Sequence, residues 1–173
     1  MPIRLDFQKL DLMDALDLAV LIEAEAYDRY REFADQLGHR FPGDAASVFT
    51  AMAGNEAKHG KALQERRRQL FGDKPRRVRR DDLFDVEAPD QGAVRSRMSA
   101  RQAFELALTA ERRAFDFYDQ ALQYVKDKTI RELFTELRDE ETEHVQMVQK
   151  TLASLPASAA HEIDEDDDDL PQL

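Results

Sequence analysis

Four stretches of this chain carry apolar residues at the three-to-four spacing of a helix, and glutamate interrupts each stripe near its middle. The first stripe reads Leu16, Ala19, Glu23, Ala26, Tyr30, Phe33, Leu37; the second reads Phe49, Met52, Glu56, His59, Leu63. The third reads Phe104, Ala107, Glu111, Ala114, Tyr118, Ala121, Val125, and the fourth Ile130, Phe134, Leu137, Glu141, His144, Val148. Burying an unpaired carboxylate costs several kcal/mol, so a chain that needed only a stable core would place leucine at these four positions. Four Glu and two His at mid-height on facing stripes therefore demand a compensating charge.

The helical stretches have recognisable ends. The first runs from about Asp11 to Leu37 with Gly38 after it, and the second from about Asp44 to Phe71, between Pro42-Gly43 and Gly72. Ser99 and Gln102 make a capping-box pattern that opens the third, which runs to about Lys126. Thr129 and Glu132 make another that opens the fourth, which runs to about Ser154 with Pro156 beyond. No stretch alternates with the period of a strand, so no sheet is expected. Short connections make helices one and two, and helices three and four, antiparallel neighbours. Residues 72–98 can run back along helices of about 40 Å. The expected fold is all-α, an antiparallel four-helix bundle of two helical hairpins joined by a long crossover. It occupies residues 1–156, and 157–173 form a disordered acidic tail.

Composition narrows the function. The chain has 173 residues and no Cys, which excludes disulfides, a thiolate nucleophile, Cys-ligated zinc or iron–sulfur sites and an appended Cys₄ rubredoxin module. No apolar run is long enough for a transmembrane helix, and Met1 to Asp14 does not read as a signal peptide, so a cytoplasmic protein is expected. A net charge of −11 argues against a nucleic-acid partner. The charge is uneven: seven acids lie between Glu162 and Asp169, whereas Arg66, Arg67, Arg68, Lys74, Arg76, Arg77, Arg79 and Arg80 form a basic block. That block lacks interleaved aromatics for base stacking and reads as a solvated crossover or a dock for the acidic tail.

The two halves of the chain repeat. Glu111 follows Glu23 by 88 residues, and Glu141 and His144 follow Glu56 and His59 by 85. The run Glu23-Ala24-Glu25-Ala26-Tyr27-Asp28-Arg29-Tyr30 aligns with Glu111-Arg112-Arg113-Ala114-Phe115-Asp116-Phe117-Tyr118. Each half thus supplies one Glu and one Glu-x-x-His, and Glu and His at i and i+3 share a helix face and reach one ion. Four carboxylates balance two divalent cations, and two neutral imidazoles give each ion one nitrogen. Such an oxygen-rich donor set suits iron or manganese rather than structural zinc.

On these residues the chain resembles the ferritin-like superfamily, on its rubrerythrin-like di-iron branch, over about Asp11 to Leu152. The resemblance implies a non-haem di-iron centre with Glu23, Glu56, Glu111 and Glu141 as terminal or bridging carboxylates and His59 and His144 as nitrogen ligands. It implies two iron ions per chain, moving between Fe2+ and Fe3+, with Mn2+ as a substitute. Rubrerythrins typically carry a further ligand Glu one turn after the Glu of helix three; here that position is Ala114. The rubredoxin domain common among them is also absent, and the six-residue set is closer to a generic ferroxidase pattern. The implied function is oxidation of Fe2+ by O2 or H2O2, in iron handling or oxidative-stress defence. The alternative is a metal-binding storage, delivery or interaction protein without turnover.

Other residues complete the expectations. Tyr30 and Tyr118 each follow a ligand Glu by seven residues; they can hydrogen-bond a ligand or pass electrons, and packing in the core is the simpler reading. Glu25 and Glu143 read as surface, Glu140 and Asn55 as solvated neighbours of ligands, and His39 and His161 as loop and tail residues outside the core. Leu12, Val20, Leu21, Phe117 and Val145 lie outside the bundle seam, so a homodimer or higher homo-oligomer is expected.

Overall fold

The computed structural model describes residues 6–38, 40, 43–79, 86, 88–90, 92–95 and 97–160. Pro42, Arg80, His39, His161 and the acidic run 162–169 lie outside the described residues. Four helices account for most of the described chain: α1 Leu12–Leu37, α2 Ala45–Phe71, α3 Ala100–Tyr124 and α4 Lys128–Ser154, with no strand among the described residues. Their ends follow local chemistry. The carboxylates of Asp11 and Asp44 accept the Asp14 and Ser47 amides, each satisfying one orphan donor of a first turn. Ser99 and Gln102 form the expected reciprocal capping box. Gly38 and Gly72, at φ 63° and 61°, end α1 and α2 in the left-handed region that favours glycine.

Helix α4 departs from the expected start. Its N-cap is Asp127, whose carboxylate accepts the Ile130 amide, so Thr129 and Glu132 lie inside the helix. The earlier start places Arg131 in the first turn, where its guanidinium donates to the carbonyls of Leu122 and Val125 at the end of α3. One side chain thereby satisfies carbonyls that the end of α3 leaves without helical partners.

Helices pair as two hairpins, α1 with α2 and α3 with α4, and the hairpins meet mainly through α2 and α3. The apolar stripes are buried as read, except that Phe104 is only partly covered. The apolar core falls into two clusters. One gathers Leu16, Ile22, Leu63, Tyr118, Ile130 and Phe134; the other gathers Tyr30, Phe33, Phe49, Met52, Ala107 and Val148. Glu23, Glu56, Glu111 and Glu141 belong to neither and lie between them in each stripe.

The crossover runs back along the bundle on a series of arginine contacts. Arg77 pairs with Asp11 and Asp14 at the start of α1. Arg29 of α1 donates to the Pro89 carbonyl and Arg113 of α3 to the Ala88 carbonyl, both at 2.7 Å. Met98 then joins the cluster that holds Phe33 and Leu37. The basic block is therefore not simply solvated. Arg67 is buried, with Nε 2.8 Å from Oδ1 of the fully buried Asp17, and it also donates to the carbonyls of Gly72 and Lys74 at 2.8 and 2.6 Å. The carboxylates of α1 that receive these arginines are scattered along its sequence, which hid the pairing.

The apolar face expected to seat a second copy is partly covered within the chain. Val20 and Phe117 are only 1% and 5% exposed. The Phe7 ring meets Phe117 edge-on at 5.8 Å, and Val78 and Val86 of the crossover join the same cluster. Leu12 and Leu21 are partly buried against it, and Val145 is partly buried. A 3-10 turn, Ala157–Ala160, follows α4 and packs beside α3. No helix among the described residues is long and apolar enough to cross a membrane.

Removing one partner of a buried pair strands the other charge. Arg67→Ala is expected to lower the stability of the metal-free protein by about 3 kcal/mol. Arg66→Ala, which loses the exposed 2.8 Å pair with Glu136, is expected to cost at most about 1 kcal/mol. Urea unfolding monitored by circular dichroism measures both, and equal losses would contradict a buried Arg67–Asp17 pair that outweighs the exposed one.

Candidate metal centre

The four helices bring all six sequence-predicted residues to one level of the bundle. Glu23 comes from α1, Glu56 and His59 from α2, Glu111 from α3, and Glu141 and His144 from α4. The four carboxylates are between 0% and 3% exposed, whereas the histidine side chains are partly covered. Two groups of donors converge. Glu23, Glu56 and His59 place one ligand atom each within 4.8 Å of one another, and so do Glu56, Glu111 and His144. Glu56 belongs to both groups, the two histidines fall in different ones, and Glu141, expected as a ligand, belongs to neither.

The histidines face one another across the layer, their rings stacked at 4.7 Å and 9°. His144 Nδ1 lies 3.0 Å from Oε2 of Glu111 and 3.5 Å from Oε2 of Glu141. His59 Nδ1 lies 3.8 Å from Oε2 of Glu23. The Oε2 atoms of Glu23 and Glu141 are buried without a hydrogen bond, each beyond good hydrogen-bonding distance of the imidazole it faces. Buried carboxylate oxygens in this condition, beside imidazole nitrogens, fit a pair of divalent cations.

The electrostatics carry the same message. Burial, then the charges of Glu56 and Glu141, push the Glu23 carboxyl well above the ordinary carboxylate range. Burial likewise pushes Glu141 up to about 8, although His144 acts against the shift. For His144 burial works downward, but the carboxylates of Glu111 and Glu141 outweigh it and push the imidazole up to about 11. His59 moves the other way, lowered by burial and by His144. Without metal, Glu23, Glu141 and His144 all retain protons to higher pH than usual.

Neighbouring residues divide. Tyr30 is fully buried, stacks on Phe49 at 5.9 Å and donates a long 3.4 Å hydrogen bond to Oε1 of Glu111. Tyr118, its counterpart in the second hairpin, packs against Phe117 and Phe134 at 5.1 and 5.6 Å. Glu143 is exposed as read, whereas Glu25 and Asn55 are partly buried. Glu140 is also partly buried, and burial and Glu136 raise its carboxyl. It adds negative charge beside Glu23, a role that its place next to Glu141 in sequence only hinted at.

The rubrerythrin family model matches residues 14–152. The chain belongs to the rubrerythrin family, whose members usually bind iron. Among solved structures, it is similar to an uncharacterized conserved protein from Magnetospirillum magnetotacticum MS-1. That protein shares 27% identity and a TM-score of 0.66, with 85% of this chain and 97% of that chain covered. A hypothetical protein from Pyrococcus furiosus shares the fold at 22% identity and a TM-score of 0.53, with 86% and 94% covered. No curated protein matches the chain.

The raised carboxyls fix a pH dependence. Glu141 keeps its proton in the folded chain up to about 8, against an ordinary 4.5, so folding takes up a proton between those values. His144's contribution is complete below 6.5 and is lost as pH climbs through about 11. Both effects make the metal-free fold less stable as pH rises, so its melting temperature should fall between about pH 6 and about pH 9. Metal binding should release protons near neutral pH, seen by calorimetry in buffers of different ionisation enthalpy. A melting temperature that rises over that range, or metal binding without proton release, would contradict this account.

Proposed function

We propose that this rubrerythrin-family chain is an iron-oxidising protein that holds two iron ions in its carboxylate layer and oxidises Fe2+ with O2 or H2O2. The observation that carries the reading is the sharing of Glu56 between two donor groups, each with its own histidine. Glu23 and His59 would hold one ion and Glu111 and His144 the other. Glu56, common to both groups, would serve both ions, and Glu141, its counterpart in the repeat, would add a further carboxylate beside His144. Bound there, iron supplies one electron per ion to a two-electron oxidant.

The chain's own part is electrostatic. Four carboxylates stabilise the higher charge of Fe3+ more than that of Fe2+, which favours oxidation. The two apolar clusters pack on either side of the layer and hold the four glutamates in place. Tyr30 steadies Glu111 through its hydroxyl. In the metal-free chain the protons on Glu23 and Glu141 offset the repulsion, and they leave as cations arrive.

Replacing both Glu23 and Glu111 by Ala should abolish tight binding of two irons and the oxidation of Fe2+, with helicity retained. Anaerobic Fe2+ titration, then oxidant addition followed by ferric absorbance, reads both effects. A double variant that still oxidises Fe2+ at the wild-type rate would sink the assignment. Wild-type protein that holds two Fe2+ unchanged under both oxidants would instead establish binding without turnover.

A further inference from the structure

A cleft of about 250 Å³ opens between α1 and α2, with Glu23 and Glu56 at its floor and Ala24, Ala57 and Gly60 among its walls. We propose that this cleft is the path by which small uncharged molecules, of the size of dioxygen or hydrogen peroxide, reach the carboxylate layer, and that Gly60 sets its width. The proposal rests on the metal reading above and assigns access to the half of the layer that holds Glu23.

Three observations support it. The floor is chemically open: Glu23 is 2% exposed, and its Oε2, which accepts no hydrogen bond, belongs to a residue lining the cleft. Gly60 lies inside a 27-residue helix, where glycine costs roughly 1 kcal/mol relative to alanine. Packing does not force that choice, because a Cβ built on Gly60 meets the Glu23 Cβ at 3.4 Å, an ordinary contact. What the glycine leaves is space beside the stem of Glu23.

The internal repeat supplies the third observation. At the offsets that superpose the ligands, Ala24, Ala57 and Gly60 of the first hairpin correspond to Arg112, Thr142 and Val145 of the second. The two hairpins preserve the ligands but differ at these walls. All three walls are small in the first hairpin and larger in the second. The walls also select by charge. Ala24, Ala57 and Gly60 carry no charge, and the exposed Lys61, which lines the cleft with Gln64, disfavours a divalent cation while leaving a neutral molecule unaffected.

The native chain has no cysteine, so single-cysteine variants report access directly. In metal-free protein, Gly60→Cys should react with methyl methanethiosulfonate at least about a hundredfold faster than Ala107→Cys, whose site is fully buried in the core and reached only by opening of the fold. Adding Ala24→Leu, at a partly exposed wall, should slow Gly60→Cys labelling severalfold. In anaerobic Fe2+-loaded protein, Gly60→Val should slow nitric oxide binding while two irons remain bound; Ala24→Leu serves if Gly60→Val does not fold. Labelling no faster than at Ala107→Cys, or unaffected by Ala24→Leu, overturns the path. That result leaves the metal reading standing if wild type binds two irons. Failure of wild type to bind two irons removes the metal reading, and the labelling rates still decide the cleft.

Discussion

Mutual repulsion among four carboxylates buried at one level of a helical bundle is the constraint around which this structure is arranged. Glu23, Glu56, Glu111 and Glu141 are almost completely removed from water, and they cut the apolar core into two clusters. A continuous core of leucines would hold such a bundle more firmly. Protons and the His144 imidazole moderate the repulsion in the metal-free chain, leaving Glu23 and Glu141 with raised pKa values. A pair of divalent cations, as proposed, would relieve it, and two donor groups that could each hold an ion share Glu56.

The rest of the architecture keeps that layer in place. Arg67 carries a buried charge to Asp17 of α1 and ties down the carbonyls that lead out of α2. Arg29 and Arg113 hold the far part of the crossover against both hairpins. Long helices in one phase are needed because a one-residue slip rotates a ligand by about 100° around its helix, away from its partners. Capping residues at Asp11, Asp44, Ser99 and Asp127 fix where each helix begins.

Much of this was legible in the sequence because the signal is periodic. The four stripes, the interruption of each by Glu and the 88- and 85-residue offsets can be read without coordinates, and five of the six residues they pick out converge in two donor groups, with Glu141 beside His144. Contacts between distant segments were not legible. Thr129 and Glu132 match a capping box, yet Asp127 begins α4, because an earlier start lets Arg131 reach the end of α3. The arginine block is largely exposed as read, but the burial of Arg67 was not legible because Asp17, which receives it, lies in another helix. Val20 and Phe117 looked available to a second copy, but Phe7 and the crossover valines, which have no helical period, join their cluster. The α1/α2 cleft could be suspected only by comparing the hairpins position by position.

On the function proposed above, the acidic layer holds two cations through a shared glutamate. Anomalous diffraction from crystals of the iron-loaded protein, collected on both sides of the iron edge, tests it most directly. Two iron peaks are expected in each chain, one among Glu23, Glu56 and His59 and the other among Glu56, Glu111 and His144. A single peak bound by both histidines, or iron found only outside the layer, would contradict it.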